Sequence, residues 1–225
     1  MPTLKWNRRW SKGLKSVLGY ESRQKYFGDQ WGIPDSKTTF FQRINPLSIA
    51  SETLAQVVET YIEPYVTPNS VVLEIGSGGG RWTKYFLNVK ETTVVELNPE
   101  FFAYLRDRFD GSASRFHFYN TTGYELDGIP TESIDFLFTF GTFVHIEPEG
   151  IQVYMTHIKR VLKQGAIGVI HYSNKKRIRA RLNPSFSRMN PNMMESFAYQ
   201  NGLKVIQHDS KLLNHSSIVV LQKGA

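Results

Sequence analysis

The stretch "VVLEIGSGGGRW", residues 71–82, brings an acid and a cluster of glycines together at the spacing E-x-G-x-G-x-G: Glu74, Gly76, Gly78 and Gly80. Without Cβ atoms, such glycines let backbone N–H groups approach a ligand and let the chain turn sharply into the next element. A dinucleotide fingerprint, G-x-G-x-x-G, would need glycine at position 81, where Arg81 stands. Glu96 follows 22 residues after Glu74, and its two oxygens could accept from a pair of ribose hydroxyls. An acid at the end of the glycine strand suits a ligand with cationic groups where a pyrophosphate would be repelled, whereas an acid at Glu96 is also found in dinucleotide sites and by itself discriminates little. A second group of chemistry-bearing residues lies downstream: His145 with Glu147, then His171 with Asn174.

These residues need a scaffold that puts them at one edge. A helix is expected from about Ser48 to Glu63, with Leu54, Val57, Val58 and Tyr61 at helical spacing and Pro64 and Pro68 beyond it. Strand-like stretches follow at 70–75, 92–97, 115–119, 133–140 and 166–172. Helices are expected between them at 81–88, 99–109 and 149–162. The end reads as a helix over 191–201 and two strands, "LKVIQHD" and "SSIVVLQK". Strands separated by helices imply a Rossmann-like, doubly wound, mostly parallel seven-stranded sheet, because parallel pairing needs long crossovers. The last two strands, with no helix between them, form an antiparallel C-terminal edge hairpin. In such a sheet the ligand crevice lies beyond the carboxyl ends of the strands, where the glycines and both histidines fall. Asp135, inside a strand, reads as structural.

The glycine motif resembles the first motif of class I S-adenosylmethionine-dependent methyltransferases. "GRWTKYF", "YNTTGYELDGIPTESIDFLFTFGTFVHIE" and "VIHYSN" narrow the likeness to bacterial sugar or polysaccharide O-methyltransferase-like proteins, from about residue 28 onward. The resemblance implies a cofactor site of Glu74, Gly76, Ser77, Gly78, Gly80, Arg81, Trp82, Glu96, Leu97, Thr121, Thr122, Gly123, Phe140 and Gly141, with Tyr119 and Asn120 near the adenine. The chain departs from the family where Asn-Asp-Gly usually stands, having Thr121-Thr122-Gly123, and where an acid often follows the fourth strand, having Gly141. Methyl transfer is an in-line displacement at an activated carbon, so an alcohol acceptor gains from positioning and a general base. His145, matching the family's "VH" histidine, is assigned as that base, titrating near neutrality, with Glu147 orienting it; the alternative is a histidine that caps the next helix or bonds to backbone. His171 is the second catalytic candidate. Asn174 and Trp31 are the candidate acceptor contacts.

Composition bounds the remaining classes. At 225 residues, 40% hydrophobic and 21% charged, the chain holds one well-buried domain with an appendage: an N-terminal extension at 1–45 and the methyltransferase domain at 46–225. It has no cysteine, which excludes disulfides, thiolate ligands and a thiol nucleophile. It offers neither the Asp/Asn-Pro-Pro-aromatic segment of amino-methylating nucleic-acid enzymes nor a carboxylate cluster for Mg²⁺, so no metal is expected. No apolar run has signal-peptide or spanning length, and a cytoplasmic location is expected.

The net charge of +7 is unevenly placed. Residues 1–25 carry +6 and residues 171–194 hold six Lys/Arg and no acid; subtracting both leaves −5 for the rest. Trp6, Trp10, Leu14, Val17 and Leu18 share one helical face of the N-terminal segment. That face is either a lid packed on the domain or a contact with an anionic partner or membrane surface. The favoured function is O-methylation of a small-molecule or carbohydrate acceptor. The alternatives are a nucleic-acid (RNA) binding protein or RNA methyltransferase using the basic segments, and a cofactor-binding protein without catalysis.

Overall fold

A computed structural model describes residues 51–224. The expectations for residues 1–45, including Trp31 and the amphipathic N-terminal face, and the start of the first helix lie outside the described residues.

Seven strands form one sheet: β1 (Val71–Ile75), β2 (Glu91–Glu96), β3 (Phe116–Asn120), β4 (Ile134–Thr139), β5 (Leu162–Ser173), β6 (Leu203–Asp209) and β7 (Ser216–Lys223). Their spatial order is β3-β2-β1-β4-β5-β7-β6. The β1–β2, β1–β4, β2–β3 and β4–β5 pairs are parallel. Strand β7 runs antiparallel to both β5 and β6, so the C-terminal hairpin closes the sheet with β6 outermost. β1 pairs with β2 on one side and β4 on the other, and the crevice opens where the winding reverses.

Period-two alternation splits each central strand between two cores. Leu73 and Ile75 of β1, Leu137 of β4 and Ile170 and Tyr172 of β5 face one side. There they meet α3 (Pro148–Val161), whose Ile151, Tyr154, Met155, Ile158 and Val161 recur at helical spacing, and α5 (Pro191–Gln200), through Met194 and Ala198. Val72, Phe136, Phe138 and Val169 face the other side, where α1 (Ser51–Tyr61) supplies Val57, Val58 and Tyr61. Helix α2 (Glu100–Arg108) covers the β2–β3 end through Leu105. Each such fully buried side chain contributes about 1.5–3 kcal/mol of apolar transfer. Asp135 is structural as expected: it accepts from Val71 N (2.9 Å) and Lys163 Nζ (2.7 Å), tying the starts of three strands.

One local expectation is corrected. Residues 81–88 do not form an α-helix; only Thr83–Phe86 winds, as a 3₁₀ turn. Thr83 and Phe86, one such turn apart, are both buried. Beyond β5 a short helix, α4 (Ile178–Arg181), appears within a stretch for which no element is expected.

Candidate active site

The glycine loop leaves β1 through backbone that L-residues avoid: Gly76, Gly78 and Gly80 have φ of 78°, 51° and 81°. Space reinforces conformation, since a Cβ on Gly76 would lie 1.9 Å from Thr142 Oγ1, and one on Gly80 2.7 Å from Leu105 and Phe109. The loop is tied to its neighbours on both sides. Gly78 N–H donates to Glu96 Oε2 at 3.0 Å, and Thr142 Oγ1 donates to Gly76 O at 3.3 Å. Glu96 Oε1 accepts from Leu97 N and Asn98 N (2.8 and 3.3 Å). The acid expected to bind a ribose thus also anchors the loop.

Glu74 is 2% exposed and accepts from Thr83 Oγ1 at 2.6 Å. Burial pushes its carboxyl up to about 8, and burial likewise raises Glu96 against the three backbone donors. A cationic ligand would offset the desolvation of these two carboxylates. Ser77 Oγ and Thr139 Oγ1, at the ends of β1 and β4, are buried with no hydrogen-bond partner among the described residues. Close backbone approach, orphaned hydroxyls and under-compensated acids fit a bound polar cation such as S-adenosylmethionine.

The other expected cofactor residues divide. Arg81 is half-buried at the loop end, while Trp82 belongs to the core, its ring 4.6 Å from Phe140 and 5.4 Å from Phe138. After β3, Thr121 is buried and Thr122 exposed, and Gly123 N donates to Thr121 Oγ1 at 3.3 Å. Thr122 gives both N–H (2.6 Å) and Oγ1 (2.9 Å) to Glu125 Oε1. Burial opposes the ionised Glu125, yet the Thr122 donors outweigh it and hold the carboxyl at about 2. Glu125 was not singled out in the sequence, although a Thr-Thr pair three residues ahead of an acid is a signal for such a turn.

After β4 the chain turns at Gly141 (φ 82°), whose N–H donates to His171 Nδ1 at 3.0 Å. His171 therefore carries its proton on Nε2, which faces Ser216 Oγ at 2.6 Å. Phe140 stacks on this imidazole at 4.0 Å. Burial holds His171 well below its ordinary range, and with both nitrogens engaged it braces the Phe140–Gly141 turn. Asn174 is similarly occupied, donating to Ser217 Oγ (2.9 Å) and accepting from Lys176 N (3.0 Å). Both side chains thus brace the carboxyl end of β5 and the loops beside it.

His145 Nδ1 lies 2.8 Å from Ser185 O; a carbonyl only accepts, so Nδ1 carries the proton and Nε2 the basic lone pair. Glu147, expected to orient this ring, has its Oε2 accepting from Arg188 N and Nε at 3.1 and 3.2 Å. The orienting group is a backbone carbonyl 40 residues away, which no local spacing could reveal. Burial lowers His145 to about 4, with neighbouring His215 adding to the effect, so titration near neutrality is replaced by a ring that stays neutral there. His215, buried and also lowered to about 4 by burial, was missed because it lies outside every motif. Among the described residues no cluster of three or more metal-ligating side chains occurs.

Comparison with known proteins places this geometry. Residues 72–165 match the family model described as "Methyltransferase domain". No curated protein matches the chain by sequence. Among solved structures, a protein from Pyrococcus horikoshii superposes with a TM-score of 0.64 at 15% identity, over 83% of this chain and 99% of that one. A SAM-dependent methyltransferase from Archaeoglobus fulgidus gives 0.61 at 15% identity, over 83% and 100%. The CurJ carbon methyltransferase gives 0.58 at 16% identity over 77% of this chain, which spans only 54% of that one. The chain is an enzyme carrying a methyltransferase domain at residues 72–165, with S-adenosylmethionine as its cofactor.

Proposed function

We propose that the acceptor atom is oxygen, on a small-molecule or carbohydrate alcohol, and that His145 is the general base. The supporting observation is the tautomer: Ser185 O holds the Nδ1 proton, which leaves the basic nitrogen of a neutral ring at Nε2. One neighbour of this fold is a carbon methyltransferase, so the fold does not choose the acceptor atom. S-adenosylmethionine supplies an activated methyl carbon. The protein's part is to hold the cofactor on the glycine loop and Glu96, to align an acceptor lone pair in line, and to receive the hydroxyl proton at His145 Nε2. A ring depressed to about 4 is wholly in its base form at neutral pH.

The test is transfer of a ¹³C-methyl from the cofactor to a panel of sugars, sugar nucleotides and small alcohols, with the product's methyl shift read by NMR. An O-methyl signal supports the reading; label found only on nitrogen, carbon or RNA overturns it. His145→Ala should slow turnover ~10²–10⁴-fold with cofactor affinity nearly unchanged. The wild-type rate should show no limb from this residue between pH 6 and 8, because its titration lies near pH 4. A folded alanine variant that keeps most of its activity on the true acceptor would make His145 structural.

A further inference from the structure

Residues 174–189 leave β5 at the carboxyl edge of the sheet and return to it as a closed hook. Lys175 N donates to Met189 O (2.9 Å), Ser173 Oγ to Ser187 O (2.9 Å) and Ser187 N to Val144 O (2.8 Å). The hook is built rather than draped. Ala180 of α4 is fully buried against Val144 and Phe186, and Lys175 Nζ braces the Ala180 and Asn183 carbonyls at 2.8 and 3.0 Å. It also holds the candidate base, through Ser185 O and the Phe186 ring 5.5 Å from that of His145.

Its outer face carries bare aliphatic and cationic side chains together. Ile178 is 65% exposed and Leu182 78%, and Leu182 N bonds to Ile178 O, so the two lie one turn apart on the side opposite Ala180. The hook holds six cations and no acid. Arg188 is committed to Glu147 and Glu149, Lys175 to its own carbonyls and Lys176 to Asn192. Arg177, Arg179 and Arg181 have no carboxylate partner among the described residues.

We propose that this hook docks on an anionic lipid surface, with Ile178 and Leu182 entering the interface and Arg177, Arg179 and Arg181 meeting the headgroups. Charge complementarity selects an anionic occupant and argues against residues 1–25 of the same chain, which carry +6. Two bare aliphatic side chains beside the arginines favour lipid over RNA, since the outer face offers no aromatic ring for a base to stack on. Docking there turns the carboxyl edge of the sheet, and with it the active site, towards the surface. The placement is independent of the oxygen-acceptor reading and stands if that reading fails.

The test is co-sedimentation of the full chain with vesicles of mixed phosphatidylglycerol and phosphatidylcholine, against pure phosphatidylcholine vesicles and a single-stranded RNA oligonucleotide. Binding should require the anionic lipid and weaken with salt. Ile178→Ser/Leu182→Ser should lower partitioning about tenfold or more. Arg177→Gln/Arg179→Gln/Arg181→Gln should lower it roughly a hundredfold, each cation contributing several-fold. Thermal midpoint and cofactor affinity should not change, because the substituted side chains lie outside the core. No binding to anionic vesicles, equal binding by the variants, or hook-dependent binding to RNA with none to vesicles would each overturn the proposal.

Discussion

Glu74 shows the cost of building a cation site before the cation arrives. Its carboxyl sits at about 8 because burial outweighs the single Thr83 hydrogen bond. The folded apo-protein then keeps a proton that the unfolded chain releases above about pH 4.5, so this residue's contribution to stability falls as pH rises from there to about 8. Glu74→Gln should therefore stabilise the apo-protein at pH 8–9, by up to about 5 kcal/mol, and change little near pH 4.5. The same variant should weaken S-adenosylmethionine more than its product, which lacks the sulfonium. Melting curves at the two pH values with calorimetry of both ligands check this; a variant no more stable at pH 9 would sink it. Glu96→Ala removes the acceptor for Gly78, Leu97 and Asn98 N–H together, and cofactor binding should weaken by roughly 1–3 kcal/mol. Unchanged affinity in the folded variant would count against it. Glu74 was legible in the sequence because the glycines after it have a conformational reason to be there, and Glu96 because it closes the next strand 22 residues on. The partners of Glu147 and Asn174 were not, since Arg188 and Ser217 lie 41 and 43 residues away and meet them only after the sheet is assembled.

At the level of elements, strands were read more faithfully than the segments between them. A central strand declares itself by an apolar run covered on both faces, as "VVLEI" and "IDFLFT" do. The 81–88 segment misled because its apolar residues suit either winding, and i, i+3 neighbours such as Thr83 and Phe86 share a face in both. The hook escaped notice because α4 has four residues and its anchor, Ala180, meets Val144 and Phe186 from other parts of the chain. The glycines allow a sharper test of what a turn requires. Gly76 and Gly141 share a left-handed backbone, but a Cβ on Gly76 would strike Thr142 while one on Gly141 meets nothing within 4 Å. Gly141→Ala should cost only the conformational ~1–2 kcal/mol. Gly76→Ala should cost more, because Thr142 must also move, and should take cofactor binding with it by breaking the Thr142–Gly76 tie. Equal destabilisation of the two variants in urea titrations would show that the contact carries nothing.

Across the whole molecule, the buried titratable groups set opposing pH slopes whose balance can be measured. His145, His171 and His215 are held below their ordinary range chiefly by burial, so the unfolded chain binds protons there that the folded one refuses. For His145 and His215 that contribution is fully present above about pH 6.5 and is lost as pH falls towards 4, and His171 acts in the same direction. Glu74 and Glu96 are raised by burial, and their effect runs the other way, with stability lost as pH climbs from about 4.5 to about 8 in the case of Glu74. Three histidines outweigh two carboxylates below pH 6.5, and above it the carboxylates act alone. Apo-protein stability should therefore peak near pH 6.5 and fall on both sides. Saturating S-adenosylmethionine should lift the alkaline side most, because its cationic groups stabilise the ionised acids, and should steepen the acid side, where the histidines then act without the opposing carboxylates. Melting temperature measured from pH 4.5 to 9, with and without cofactor, tests both halves. A midpoint that rises steadily to pH 9 in the apo-protein would mean that Glu74 and Glu96 are better compensated than their burial implies.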